Sequence, residues 1–159
     1  MFMKSIQSEH APKAIGPYSP AVKLGDFVYL SGQIPVDPAS NAVVEGGIVE
    51  QTKQVFKNME AVLAEMGLET RHIVKTTVFL KNMDDFSAMN QVYGSHFNEP
   101  YPARSTVEVS RLPKDVLVEI EALVIDTSAY ERQMGGGCGD GGCEGGCCGD
   151  DEGGCDGCC

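Results

Sequence analysis

IVEQTKQVFKNMEAVLAEMG, residues 48–67, followed at 73–80 by IVKTTVFL, sets a long amphipathic helix ahead of a β-branched strand. In the first segment Ile48, Thr52, Val55, Met59, Val62 and Met66 recur at spacings of four, three, four, three and four. That is the period of one helical face, and Gly67 supplies a C-terminal stop. The second segment is rich in residues that suit a pleated surface, and it predicts a strand with Val74, Thr76, Val78 and Leu80 turned to the core.

Working outward, residues 19–24 and 26–31 flank Leu24-Gly25-Asp26-Phe27. A Gly-Asp pair between two apolar runs predicts a tight hairpin. After the strand at 73–80, Asn82 can cap a second helix in which Phe86, Met89, Tyr93 and Phe97 repeat at three, four and four. Two further strands, Ala103 to Ser110 and Val116 to Ile125, joined by Arg111-Leu112-Pro113-Lys114-Asp115, complete the order ββαβαββ. The fold class is α+β, one sheet with two helices packed on one face. In the last strand Val116, Val118, Ile120, Ala122 and Val124 point one way, while Leu117, Glu119, Glu121, Leu123 and Ile125 point the other. Both faces therefore carry apolar side chains, and the face without helices is expected to be covered by copies of the same chain in a closed cyclic oligomer.

The chain of 159 residues carries a net charge of −11, unevenly distributed. Residues 135–159 contain only Gly, Cys, Asp and Glu, with all seven cysteines, 12 of the 19 glycines and six acidic residues. Residues 1–134 keep 17 acidic against 12 basic side chains, a net −5. One domain with an appendage follows: a folded body at 1–134 and a tail at 135–159, which is expected to be disordered because it has no aliphatic or aromatic side chain to offset its ordering entropy. An acidic chain repels phosphate backbones, so nucleic acid is not an expected partner. No apolar run approaches the roughly 18 residues that span a bilayer, and MFMKSIQSEH lacks the apolar core of a secretory signal. A soluble, cytoplasmic protein is expected, with no membrane partner. The tail thiols Cys138, Cys143, Cys147, Cys148, Cys155, Cys158 and Cys159 could converge on Zn, Cu(I) or an iron–sulfur cluster, although their spacing matches no standard finger or ferredoxin. A solvating extension without metal is the alternative.

Four segments of the body can carry chemistry. Ile15-Gly16-Pro17-Tyr18-Ser19-Pro20 is a turn that can present the Tyr18 hydroxyl; Tyr18 can equally be an amphipathic side chain at the core edge. Ser31-Gly32-Gln33-Ile34-Pro35 ends a strand with a hydroxyl and a position of close backbone approach, or is an ordinary strand terminus. Along Ala103 to Val109, Arg104, Thr106 and Glu108 share one face. The Arg104 guanidinium has the planar donor fork that grips a carboxylate, unless it pairs with Glu108, Glu119 or Glu121. Glu119 and Glu121 lie together on an otherwise aliphatic strand, where a carboxylate needs a partner or a task.

The runs Ala14-Ile15-Gly16-Pro17-Tyr18, Ser31 to Pro35, Val74-Lys75-Thr76-Thr77-Val78-Phe79, Pro102-Ala103-Arg104-Ser105 and Leu112-Pro113-Lys114-Asp115, with Glu119-Ile120-Glu121-Ala122 beyond, resemble the reactive intermediate deaminase A family, RidA/YjgF. The likeness runs from about residue 5 to residue 126. It implies a chorismate-mutase-like fold, a homotrimer with sites between subunits, and hydrolysis of enamines and imines such as 2-aminoacrylate, 2-iminopropanoate and 2-iminobutanoate to 2-keto acids and ammonia. By position, the resemblance implies that Arg104 holds the substrate carboxylate, Glu119 positions the attacking water, Tyr18, Ser31 and Gly32 line the pocket, and residue 106 contributes backbone contacts. Bacterial relatives carry Cys there; this chain has Thr106. No cofactor is required, because an imine is already electrophilic. Two other roles stay open: a carboxylate-binding regulatory trimer without turnover, and a metal- or thiol-binding protein acting through the tail.

Overall fold

A computed structural model describes residues 2–134. The helix read from residues 48–67 forms as α1, Ile48–Ala64. Its N-terminus is closed by Glu50, whose carboxylate accepts the Gly47 N–H at 2.9 Å. Its C-terminus closes through Gly67 N–H to Ala64 C=O, 3.0 Å, and Leu68 N–H to Leu63 C=O, 3.1 Å, the two bonds of a Schellman stop. Thr52, Val55, Phe56, Met59, Val62 and Leu63 of α1 are fully buried.

The strands are β1 Met3–Ile6, β2 Ala21–Leu24, β3 Phe27–Gln33, β4 Ile73–Leu80, β5 Ala103–Glu108 and β6 Val118–Ile125. They form one sheet in the order β1-β2-β3-β6-β4-β5. All neighbours are antiparallel except β4 and β5. That parallel pair is the product of a crossover through α2, Phe86–Ser95. Asn82 caps as expected, but on a short 3₁₀ turn, Met83–Asp85, that leads into α2: its side chain accepts the Asp84 N–H at 2.9 Å.

Both helices pack on one face. Val118, Ile120 and Val124 of β6, Val28 and Leu30 of β3, and Val78 and Leu80 of β4 join the α1 and α2 side chains in a single core. The opposite face has no such cover among the described residues of this unit, and Leu24, Phe27 and Tyr29 each expose about half their surface there. Buried polar side chains tie the layers together. Asn58 of α1 donates to Ile34 C=O at 3.0 Å and Val36 C=O at 2.9 Å, which fixes the loop after β3. The Gln51 side-chain carbonyl accepts the Leu117 N–H at 2.8 Å and anchors the entry to β6.

Three features depart from the expected order. β1 adds an edge strand that pairs only with β2. A further helix, α3, covers Ser128–Met134; residues up to Ser128 form one unit and those from Ala129 belong to a second. Val74 does not face the core. The register against β6 shifts between Ile73 and Lys75, so Ile73 takes the inward place and Val74 is 39% exposed. Among the described residues no helix is long and apolar enough to cross a membrane.

Candidate functional site

Among the cavities formed by the described residues, one takes in Glu119 and another Arg104, on opposite sides of the sheet. The first, of about 510 Å³, is lined by Ile15, Tyr18, Ser31, Gly32, Ile34, Pro113, Lys114 and Glu119. Four of the expected residues, Tyr18, Ser31, Gly32 and Glu119, therefore converge. Ser31 Oγ donates to Ser19 C=O at 2.7 Å, and its backbone N–H donates to Pro20 C=O at 3.0 Å. The hydroxyl proton is thus committed to holding the Tyr18 segment against β3, which leaves the oxygen as an acceptor towards the pocket. Tyr18 closes its own turn, since its hydroxyl accepts the Ile15 N–H at 3.4 Å. Its ring is half exposed at the cavity wall.

Glu119 projects over Gly32. A Cβ on Gly32 would stand 1.9 Å from Oε1 and 2.8 Å from the carboxyl carbon of Glu119. Only a residue without a side chain lets the carboxylate rest there. Burial pushes the Glu119 carboxyl above the usual range, and the neighbouring charge of Glu121 adds to the rise. Lys114 lies at the rim, and it and the adjacent Asp115 have φ of 52° and 58°, two non-glycine residues in the left-handed region. Lys114 Nζ reaches Asn41 C=O at 3.4 Å, and Asp115 accepts from Lys81 Nζ at 2.8 Å.

Arg104 lies elsewhere. It pairs in register with Thr76 on the helix-bearing side of the sheet, whereas Glu119 pairs with Phe79 on the other. Its cavity, about 370 Å³, is lined by Asn90, Tyr93, Gly94, Tyr101, Pro102 and Arg104. The expected alternative of an Arg104 ion pair does not hold: among the described residues no carboxylate lies within salt-bridge distance, and Glu108 instead accepts the Met83 N–H at 2.7 Å. The guanidinium sits over aromatic rings, 4.5 Å from the Tyr93 centroid and 5.6 Å from that of Phe86. Thr106 follows on the same face, and its hydroxyl is buried with no hydrogen-bond partner among the described residues.

One chain thus brings Tyr18, Ser31, Gly32 and Glu119 together and holds Arg104 and Thr106 apart from them. Asn90, Tyr93, Tyr101 and Lys114 are among the lining residues that the sequence pattern does not single out. Tyr93 was readable only as a core residue of α2, although a buried phenol always raises the question of its partner. The seven tail cysteines lie outside the described residues. Among the described residues no group of three or more His, Cys, Asp or Glu is placed to hold a metal ion.

The α+β sheet thus carries a guanidinium stacked on aromatic rings at one face and a half-buried carboxylate over a glycine at the other. The chain belongs to the Endoribonuclease L-PSP family, whose profile matches residues 8–126, and within it to the RidA/YjgF group. It is 53% identical over 123 residues to a RutC family protein of Pyrococcus abyssi, covering 77% of this chain and 97% of that protein. Identity to the 2-iminobutanoate/2-iminopropanoate deaminase of Salmonella typhimurium is 50% over 125 residues, 77% of this chain and 97% of that enzyme. The crystal structure of RidA from an Antarctic Psychrobacter superimposes with a TM-score of 0.74 at 42% identity, covering 77% of this chain and 98% of that one.

Proposed function

We propose that this protein hydrolyses 2-imino acids and their enamine tautomers, among them 2-aminoacrylate, 2-iminopropanoate and 2-iminobutanoate, to 2-keto acids and ammonia. The observation that carries the proposal is that, among the described residues, Arg104 has no carboxylate partner and Glu119 no cation partner, while each faces a cavity. The relationship to a Salmonella deaminase supports it. Because the two groups lie on opposite sides of one sheet, the site is composed of the Arg104 side of one subunit and the Glu119 side of the next, in a homotrimer closed by the apolar face around Phe27 and Tyr29.

In this scheme the Arg104 fork takes the substrate carboxylate through two parallel N–H bonds and fixes the C=N carbon in space. Glu119 accepts a proton from water as the oxygen attacks that carbon, and the imine nitrogen takes up a proton as the C=N π bond breaks. The tetrahedral aminoalcohol then loses ammonia: the C–N bond breaks, the hydroxyl proton leaves, and C=O forms. A carboxyl raised by burial is a better base near neutrality than an ordinary glutamate. The family description names a nuclease, but a net charge of −11 does not favour a phosphate backbone.

The test is subunit complementation. Arg104→Ala and Glu119→Gln proteins are each expected to be inactive on freshly generated 2-iminobutanoate. Unfolded and refolded together at equal amounts, they should recover about a quarter of wild-type activity, because one interface in four pairs an intact arginine with an intact glutamate. Light scattering should give three times the chain mass. Inactive mixed trimers would refute the shared site, and wild-type trimers that bind keto acid without turnover would make the protein a binding module.

A further inference from the structure

We propose that Tyr93 is the positioning residue for Arg104, a π platform tethered by Thr76 that fixes the guanidinium while leaving its hydrogen-bond donors free for an anionic ligand. The proposal rests on the reading that Arg104 grips a substrate carboxylate.

Three observations fix the arrangement. The first is the stacking of Arg104 over two rings of α2, Tyr93 at 4.5 Å and Phe86 at 5.6 Å. Those residues are seven apart, two helical turns, so one face of α2 presents both. The second is the tether: the Tyr93 hydroxyl and Thr76 Oγ1 share a 2.8 Å hydrogen bond, and both residues are buried. Thr76 is also the register partner of Arg104 across the parallel β4–β5 pair. Backbone pairing thus connects Thr76 to Arg104, the hydrogen bond connects Thr76 to Tyr93, and stacking closes the triangle. The third is the bracing of the ring by Phe56 at 5.7 Å, edge-on, and Phe97 at 4.8 Å.

An arginine held by a carboxylate spends its in-plane N–H groups on that partner. An arginine held by a ring spends only its face, because the attraction runs from the guanidinium to the ring quadrupole. Here the nearest acidic side chain on the same strand face, Glu108, is already bonded to the Met83 N–H. The donor edge is therefore available in the Tyr101–Pro102 cavity before a ligand arrives.

The experiment compares Tyr93→Phe, Tyr93→Leu and Phe86→Leu. Calorimetric binding of 2-oxobutanoate and of its uncharged amide is measured beside kcat and KM. Tyr93→Phe keeps the ring and should stay within threefold of wild type, whereas Tyr93→Leu should weaken 2-oxobutanoate about tenfold, and Phe86→Leu about threefold. In both leucine variants KM should rise, kcat should hold, and binding of the amide should not change. In side-chain NMR the Arg104 Nε–H signal should sit displaced by ring current in wild type and Tyr93→Phe, and move towards the free-arginine position in Tyr93→Leu. A folded Tyr93→Leu protein with unchanged keto-acid affinity, or with equal losses for acid and amide, would overturn the platform. If that variant does not fold, Phe86→Leu with unchanged affinity and an unmoved Arg104 signal overturns it. Failure of the wild type itself to bind 2-oxobutanoate would instead refute the carboxylate reading, with the Arg104 signal still reporting on the platform.

Discussion

Oε1 of Glu119 occupies the space in which a side chain on Gly32 would begin, 1.9 Å from an ideal Cβ. Two residues distant in sequence are thereby locked into one design: the strand carrying the carboxylate needs an absent side chain on β3, two strand positions after the buried Leu30. Gly32→Ala is expected to displace the carboxylate rather than the backbone, because the clashing atoms are the far end of a flexible side chain. Deaminase kcat/KM should fall about 100-fold, since a misplacement of about 1 Å costs that much. Differential scanning should find the melting temperature within about 2 °C of wild type. Undiminished turnover would separate Glu119 from catalysis.

Glu119 also predicts a pH profile. In the proposed reaction its raised carboxyl would act as a base only when ionised, so kcat/KM should drop on the acid side with a midpoint above the ordinary glutamate range. Within one chain the groups facing it are Ser31 and Gly32 of β3, Tyr18, Lys114 at the rim, Phe79 of β4, and Glu121 on its own strand, and in the proposed trimer the Arg104 guanidinium of the next subunit joins them. Burial is the larger cause of the rise and Glu121 the smaller. Glu121→Gln should therefore shift the midpoint to lower pH, and a stationary midpoint would remove Glu121 from the tuning. The stability sign is the reverse of an ion pair's. The fold favours the protonated form, so this group costs stability as pH rises from the unfolded value through the folded one.

Asp126 behaves oppositely. Hydrogen bonds from Lys23 and Ser128 bring its carboxyl down to about 2. The fold favours the charged form, so the stabilisation is complete above about pH 4 and is lost as pH falls towards 2. With the Asp126 side chain 15% and Lys23 28% exposed, solvent screening leaves about 1–2 kcal/mol of it. Asp126→Asn should lower stability by that amount in urea titrations at pH 7 and match wild type near pH 2. A gap that persists in acid would assign the loss to packing instead.

The periodic elements were legible because their causes are local. The four-three spacing of α1 and its glycine stop predict Ile48–Ala64 closely, and Gly25-Asp26 marks the turn where Leu24 pairs with Phe27. β1 was not legible: Met3–Ile6 has one buried residue in four, and its strand character comes from pairing with β2. Val74 misled because strand alternation is a local rule, while the bulge between Ile73 and Lys75 is set by the partner strand. The Tyr18, Ser31, Gly32 and Glu119 cluster was approached through family likeness, since nothing in their spacing shows that β3 and β6 are neighbours. Tyr93 read as a core aromatic and is one. Its stacking against Arg104 depends on the parallel register of β4 and β5, which hydrophobic pattern does not encode.

The placement of Arg104 and Glu119 on opposite sides of a single sheet has a quantitative outcome for a cell in which the proposed trimer operates. An isolated chain would possess both reacting groups and no workplace, so output would climb more steeply than copy number until assembly saturates. Halving expression near that threshold would cost more than half the scavenging capacity, and a variant subunit lacking one group would still lend the other to its neighbours.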